Sequence, residues 1–168
     1  PRRNPHHLSG HGNKTWIDIG AIKTILKKIE VNSFLDIGCG TGGMVQYLID
    51  NFNINAIGID GDESVIRKNK KNYIIHDYTK GECKTFKLYD LGWSVEFVEH
   101  VEEQYIANYL ESFKECKNLF ISFAPIGKGG YHHVNCQNQD YWINKLSNAG
   151  FIFNEQFTYE IRKSSTIE

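Results

Sequence analysis

Short apolar runs alternate with amphipathic segments along most of this chain, and that alternation constrains the fold more than any other feature. The runs are bounded by glycine or polar residues, as buried strands are, and lie at 33–37, 55–59, 73–76, 88–95 and 118–124. Strands that alternate with helices imply crossover connections and a mostly parallel sheet covered on both faces. The sequence therefore predicts an α/β, doubly wound fold.

The segments between these runs carry apolar residues three and four positions apart, which is helical spacing. Helices are predicted at 16–29, 43–52, 63–71, 101–116 and 138–149. The charges at 67–71 are interpreted as a solvated helix face. After Gly150, residues 151–161 are predicted to supply one or two terminal strands.

The length and charge of the chain limit the possible functions. A chain of 168 residues fits one domain, predicted at 13–168, and the polar residues 1–12 are predicted to be a mobile arm. The formal net charge of −1 argues against a grip on a phosphate backbone. No apolar run reaches spanning length and no signal-like core opens the sequence, so we expect a soluble, cytoplasmic protein without membrane contact. The four cysteines lack metal-ligand spacing, and no metal site is predicted.

A glycine-rich loop follows the first predicted strand. Gly38, Gly40 and Gly42 remove side chains from a turn that a ligand approaches closely, and the next helix offers free N–H groups to an anion. Gly38, Gly40 and Gly43 also satisfy the dinucleotide fingerprint, so the loop alone does not decide which nucleotide cofactor binds.

Three acidic residues stand at the ends of successive predicted strands. Asp36 lies two residues before the first glycine and suits a ligand with an ammonium and a sulfonium group. Asp60 follows about twenty residues after the loop, where a carboxylate accepts both ribose hydroxyls. Asp77 is placed to accept from an adenine amine. Together they predict a nucleoside-binding crevice at the carboxyl edge of the sheet.

These segments resemble the class I S-adenosylmethionine-dependent methyltransferases. Residues 36–42 (DIGCGTG) resemble the first signature of that family, 58–60 the second and 76–78 the third. Residues 90–101, which end in Glu99-His100-Val101, are similar to the fourth-strand segment of its ubiquinone-biosynthesis-like, small-molecule branch. His133-Val134-Asn135 and the later Ala149-Gly150-Phe151 resemble the closing pattern of the same branch.

The resemblance implies a seven-stranded sheet with a final antiparallel strand, and S-adenosylmethionine as cofactor. It places Gly38, Gly40 and Gly42 around the methionine part with Asp36 nearby, Asp60 at the ribose and Asp77 at the adenine amine. Gly61, Tyr78 and Ser94 complete the implied cofactor set. Gly61 departs from the family, which usually has a bulkier apolar residue after the ribose acid.

Methyl transfer from a sulfonium is an in-line displacement, and a hydroxyl acceptor needs its proton removed. His132 and His133 follow the fifth predicted strand in a glycine-rich loop, and we expect one of them to act as the base. Glu96 is a candidate for orienting substrate or cofactor. Glu99 and His100 are predicted to be structural.

The favoured function is methyl transfer to an oxygen of a small molecule, such as a sugar or another metabolite. An RNA cap or ribose methyltransferase is the alternative, although residues 93–96 lack the turn with which amino-methylating DNA enzymes grip a flipped base. A nicotinamide-dependent oxidoreductase and a non-catalytic cofactor-binding subunit also stay open. The oligomeric state is not predicted.

Overall fold

The protein is described from a computed structural model, which covers residues 6–8 and 15–167. The five strands in these ranges are β1 (Ser33–Ile37), β2 (Asn55–Asp60), β3 (Tyr73–Ile75), β4 (Tyr89–Ser94) and β5 (Cys116–Ile121). The five α-helices are α1 (Ile19–Lys28), α2 (Gly43–Phe52), α3 (Ile106–Phe113), α4 (Gln139–Asn148) and α5 (Glu155–Ser164). Short 3₁₀ helices lie at His6–Leu8, Lys70–Asn72, Tyr78–Lys80, Val98–His100 and Glu103–Tyr105.

The five strands form one parallel sheet in the order β3-β2-β1-β4-β5. The chain moves outward from β1 through β2 to β3 and then returns to place β4 on the other side of β1. Ligands of such sheets bind beyond the carboxyl ends of the strands where this reversal occurs. The predicted parallel sheet flanked by helices is confirmed, whereas the described residues contain five strands and not seven.

Helix α5 occupies the residues for which terminal strands were predicted, and that prediction is wrong. The side chain of Asn154 caps the helix by accepting from Phe157 N at 3.0 Å, and buried Ile161 packs against α1. Lys28 and Glu160 form an ion pair of 2.8 Å between α1 and α5. Aromatic and branched residues favour a strand locally, but contacts with α1 determine the outcome here.

The predicted helix at 63–71 is also wrong, because the segment forms turns followed by a single 3₁₀ turn. Ser64 donates from its backbone N and its hydroxyl to Asp62 Oδ1, which holds the start of the segment as a turn. The buried Arg67 side chain reaches back to the glycine loop, so this residue does not belong to a solvated helix face.

Apolar residues of the sheet alternate between two packed layers. Phe34 contacts the layer formed with α1, α2 and α5, whereas its neighbour Leu35 belongs to the layer formed with α3 and α4. Alternate residues of a strand face opposite sides, so helices on both faces cover this sheet. The sheet edge at the carboxyl ends is left to the loops, which carry the site.

The structure gives limited information on two sequence predictions, the mobile arm at 1–12 and the cellular location. Of the arm at 1–12, only residues 6–8 are described, and they form a 3₁₀ turn beside Asp77. In the described part of the chain, no helix combines the length and apolarity needed to cross a bilayer. The cytoplasmic location stays a prediction.

Candidate functional site

A cavity of about 730 Å³ opens at the carboxyl ends of β1, β2 and β4. Most of the residues singled out in the sequence line it: Asp36, Gly38, Gly40, Asp60, Gly61, Asp77, Tyr78, His132 and His133. Residues that are far apart in sequence therefore meet at one crevice, where the strand order predicts a ligand site.

Gly42 and Ser94 are not among the residues that line the cavity. Gly42 is the N-cap of α2 at φ 80°, a conformation that glycine adopts without cost, and its carbonyl accepts from the Tyr73 hydroxyl at 3.2 Å. Ser94 is fully buried and donates to the Ile37 carbonyl at 3.0 Å. Both residues therefore form hydrogen bonds beside the glycine loop and do not line the cavity.

The glycine loop is pinned to the end of β2. The backbone N of Gly38 donates to the Ile59 carbonyl at 2.9 Å, and Gly40 N donates to Asp60 Oδ2 at 2.9 Å. Gly38 has a φ of 80°, and a Cβ there would lie 2.3 Å from the Phe97 ring. The loop thus needs glycine at 38 both for its backbone conformation and for contact with the segment after β4.

Asp60 and Arg67 form a buried ion pair at one end of the cavity. This end, lined by the glycine loop, Asp60, Gly61 and Asp77, is called the nucleoside end below because a nucleoside is predicted to bind there. Arg67 Nη2 donates to Asp60 Oδ1 at 3.0 Å, and their side chains are 3% and 7% exposed. Arg67 also donates to the Gly40 carbonyl from Nε at 2.7 Å and to the Asp62 carbonyl from Nη1 at 2.9 Å. One guanidinium therefore links the glycine loop, the end of β2 and the turn that follows.

Asp36 is a buried acid at the penultimate position of β1, between Gly58 of β2 and Trp93 of β4. Burial raises the pKa of Asp36 well above its usual range, and the nearby charge of Asp60 raises it further. A cationic group beside Asp36 would restore the carboxylate, because an opposite charge favours the ionised form.

Asp77 is held in one orientation. Its Oδ1 accepts from the backbone N and the hydroxyl of Thr79, at 2.9 and 2.8 Å, and its Oδ2 lies 3.1 Å from His7 Nε2. Burial alone would raise the pKa of Asp77, but these hydrogen bonds outweigh it and the pKa is lowered. The neighbouring Tyr78 side chain turns into the core, where its hydroxyl pairs with Ser112 at 2.7 Å.

The opposite end of the cavity holds a cluster that the sequence analysis did not predict. Glu96, Glu99, His100 and His133 each offer one ligand atom, and these atoms all lie within 4.8 Å of one another. Two carboxylates and two imidazoles at this separation form a ligand set that suits a divalent cation such as Mn²⁺ or Zn²⁺. With such a cation, the two negative charges of the cluster are balanced.

Glu99 indicates how a cation could be held here. Its side chain is completely buried, and no side chain of the described residues donates a hydrogen bond to its carboxylate. Burial raises the pKa of Glu99 to about 7; the charge of Glu96 adds to this shift, and nearby backbone N–H groups of Phe97, Glu99 and Ala124 oppose it. A buried carboxyl with so few partners is costly, and a bound cation would remove that cost.

The surroundings of the two histidines in the cluster suit a metal ligand. Burial and, to a smaller extent, the adjacent His133 together lower the pKa of His100 to about 4, so His100 is neutral as a metal ligand must be. The His133 Nδ1 lies 3.2 Å from the Lys128 carbonyl; protonated there, the ring donates this bond and leaves Nε2 with a free lone pair.

The backbone is strained at two residues of this end. Glu96 has a φ of 54° and His132 a φ of 51°, in the left-handed region that residues other than glycine rarely adopt. Each costs roughly 1–3 kcal/mol and persists only where the surroundings impose it. Glu96 N donates to Ser122 Oγ at 2.9 Å, and Val134 N donates to the Glu99 carbonyl at 2.9 Å.

His132 and His133 have different surroundings. His133 joins the cluster, with its ring centroid 4.9 Å from that of His100. His132 lies outside the cluster, 6.4 Å from the His7 ring, and its buried Nε2 has no hydrogen-bond partner among the described residues.

Sequence reasoning missed the cluster because its members were judged one at a time. The signal was the spacing Glu96-x-x-Glu99-His100 directly after a strand, which places three ligand-type side chains on one turn at the carboxyl edge. His133 could be added only by knowing that the loop after β5 folds over this turn. Nothing in the sequence pattern pointed to Arg67, His7 or Leu8.

The fold and the cavity together define a class I methyltransferase domain. Residues 34–118, half of the chain, match the family described as "Methyltransferase domain". The chain belongs to this family, whose class uses S-adenosylmethionine as methyl donor.

Relatives with names or solved structures agree with this assignment. The chain is 33% identical over 98 residues to "Ubiquinone biosynthesis O-methyltransferase" of Rickettsia canadensis (strain McKiel), covering 53% of this chain and 40% of that protein. It therefore spans less than half the length of this curated relative.

The similar solved structures share the fold at low sequence identity. The N-terminal domain of EvdMO1 with SAH bound has a TM-score of 0.62 at 15% identity, covering 86% of this chain and 76% of that one. A TehB-like SAM-dependent methyltransferase from Corynebacterium glutamicum scores 0.61 at 19% identity over 79% and 73%. The methyltransferase domain of bacterial CtHen1-CN scores 0.57 at 16% identity over 78% and 81%.

We expect Arg67→Ala to lower the free energy of unfolding by roughly 3 kcal/mol, because it removes a buried guanidinium that pairs with Asp60 and also donates to the Gly40 and Asp62 carbonyls. Lys68→Ala is the matched control. That side chain is 67% exposed, its contact with Asp50 is 3.5 Å long, and its loss should cost no more than about 0.5 kcal/mol. Urea denaturation of the two variants measures their free energies of unfolding. Equal losses of stability would contradict the organising role assigned to Arg67.

Proposed function

We propose that this chain transfers a methyl group from S-adenosylmethionine to a hydroxyl oxygen, and that a divalent metal ion bound by Glu96, Glu99, His100 and His133 holds the acceptor. The observation that carries the proposal is the position of this cluster in the cavity that the glycine loop also lines, with Glu99 buried and without a side-chain partner among the described residues. The name of the curated relative, an O-methyltransferase, supports oxygen as the methylated atom.

In this proposal the opposite end of the cavity binds the cofactor, which supplies an electrophilic methyl group when bound. Asp60 accepts from the ribose and Asp77 from the adenine amine, while Gly61 and Tyr78 lie beside them. Asp36 faces the positive charges of the cofactor, which favours its ionised form. Gly38 and Gly40 allow close approach of the ligand to the backbone. Gly42 and Ser94 act indirectly, by supporting the loop and β4.

The metal cluster answers the chemical difficulty of a hydroxyl acceptor. A neutral hydroxyl is a poor nucleophile, and coordination to a divalent cation lowers its pKa so that more of it reacts as the oxyanion. Under this proposal His133 is a metal ligand. His132, which lines the cavity and whose Nε2 has no hydrogen-bond partner in the described part of the chain, is the candidate that accepts the proton.

The number of ligands narrows the acceptor class. If Glu96, Glu99, His100 and His133 hold a six-coordinate cation, two ligand positions would be left for the acceptor, and two neighbouring hydroxyls of one molecule could fill both. We therefore propose a small molecule with adjacent hydroxyl groups. The ribose diol at an RNA end carries the same pair and is the second candidate, but the net charge of −1 offers no general attraction for a phosphate backbone.

Asp60→Asn is expected to weaken binding of S-adenosylhomocysteine at least about tenfold, because it replaces the acceptor proposed for the ribose hydroxyls. Isothermal titration calorimetry measures the affinity, with NAD as a parallel ligand that should not bind. Asp90→Asn is the matched control, because Asp90 accepts comparable hydrogen bonds from Ser33 and Lys117 outside the cavity. Unchanged affinity in Asp60→Asn would remove the ribose assignment.

Mn²⁺ should bind the wild-type protein and raise its melting temperature, and Glu99→Gln should weaken that binding at least about 100-fold. Zn²⁺ and Mg²⁺ are titrated alongside to rank the metals. In EDTA the variant should melt no lower than the wild type, because a neutral amide is cheaper to bury than a carboxylate. Glu155→Gln, an exposed change on α5, should bind Mn²⁺ normally. Absence of binding in the wild type would contradict the metal site.

The preference for adjacent hydroxyls is tested by the rate of S-adenosylhomocysteine formation with Mn²⁺ present. A catechol should react at least about 100-fold faster than the matching phenol, because the phenol cannot occupy both free metal positions. An RNA with a 3′-terminal diol, compared with its 3′-deoxy form, tests the second candidate. Equal rates for catechol and phenol would contradict coordination through two hydroxyls.

A further inference from the structure

The segment His6–Leu8 lies at the end of the cavity formed by β2 and the loop after β3, although it is far in sequence from the residues that it meets there, Gly61 and Asp77. His7 and Leu8 both line the cavity and are partly buried. Most of the other lining residues belong to the sheet edge and to the loops that follow β4 and β5. These two side chains are therefore placed to contact a ligand that enters the cavity.

Leu8 fills the space that Gly61 leaves empty. A Cβ built on Gly61 would lie 2.3 Å from the Leu8 Cδ2 methyl group, and the next nearest atom, the His76 carbonyl oxygen, is 3.3 Å away. The backbone of Gly61 does not have a positive φ, so the conformation itself would accept a side chain. The apolar group beside the backbone at position 61 thus comes from residue 8.

His7 fastens this segment to the site. Its Nε2 lies 3.1 Å from Asp77 Oδ2, with the two side chains 27% and 15% exposed. Each carboxylate oxygen has two acceptor positions, so the bond leaves Asp77 Oδ2 able to accept from a ligand amine. The centroid of the His7 ring also lies 6.4 Å from that of His132, which belongs to the loop after β5. The segment therefore bridges two parts of the cavity rim.

The segment does not fill the cavity. With His7 and Leu8 in place, about 730 Å³ remains, within the range of pockets that hold a small-molecule ligand. Purine rings bind between apolar surfaces with a few polar groups at their edges. Leu8 against Gly61 offers such a surface, and Asp77 provides the polar edge next to it.

We infer that His7 and Leu8 complete the adenine-binding wall of the cofactor site, with Leu8 supplying the apolar contact that Gly61 lacks and His7 holding Leu8 and the Asp77 carboxylate in place. This inference rests on the proposed function, because it requires an adenosine cofactor at this end of the cavity.

Leu8→Ala should weaken binding of S-adenosylhomocysteine about five- to tenfold, because three carbons of the apolar contact are lost. Methylthioadenosine, which lacks the amino-acid part, should lose affinity by the same factor, because the proposed contact is with adenine. Gly61→Val in the Leu8→Ala protein should bring the dissociation constant back to within about twofold of wild type, since the new side chain enters the vacated space. Isothermal titration calorimetry on the full chain measures all three.

Ile152→Ala, at a residue 94% exposed and outside this cavity, is the control for loss of an apolar side chain and should bind as the wild type does. Unchanged or tighter binding in Leu8→Ala would overturn the inference, because the segment would then be remote from the ligand or in its place. A loss seen only with S-adenosylhomocysteine, or no recovery in the double variant, would also overturn it. If the wild type binds neither ligand, the proposed function itself fails.

Discussion

The buried pair of Asp60 and Arg67 is the interaction on which the rest of the site depends. Through it, one guanidinium and one carboxylate connect the glycine loop, the end of β2 and the turn at 61–64. A buried ion pair of this kind adds little net stability, but it penalises every arrangement that leaves one partner alone. The pair therefore specifies the shape of the loop, and the loop in turn leaves room for a ligand.

Local signals predicted the parts of the structure whose geometry is local. The strand at 33–37, the turn at Gly38 and the helix from Gly43 follow each other directly in sequence, so apolar periodicity and glycine placement were sufficient. The prediction of a helix at 63–71 failed because the Arg67 side chain bonds to the Gly40 carbonyl, 27 positions away, and to Asp60 and Asp62. Residues 151–161 failed because their partner is α1, at the other end of the chain. In both cases tertiary contacts outweighed local preference.

The cluster at the acceptor end shows the same limit for chemistry. Three of its residues are neighbours in sequence, and His133 comes from the loop after β5. Taken singly, Glu99 has the appearance of a structural residue, because it is a glutamate beside a strand end. What distinguishes it is complete burial without a side-chain partner in the part of the chain that the structure describes, and only the three-dimensional structure reveals that. A buried carboxyl with so few partners favours the binding of a cation beside it.

The two ends of the cavity are formed by different parts of the structure. One end belongs to the fold that the family shares, and the other end depends on loops that the fold does not determine. The nucleoside end depends on β1, β2 and the glycine loop, which belong to the shared methyltransferase framework. The acceptor end depends on strained loop residues, Glu96 and His132, held by contacts outside that framework. Both ends place a buried acid, Asp36 or Glu99, whose pKa is raised by burial. A cation beside each acid would favour its ionised form, so electrostatics supports the proposed arrangement, in which the cationic methyl donor binds beside Asp36 and a metal ion binds beside Glu99.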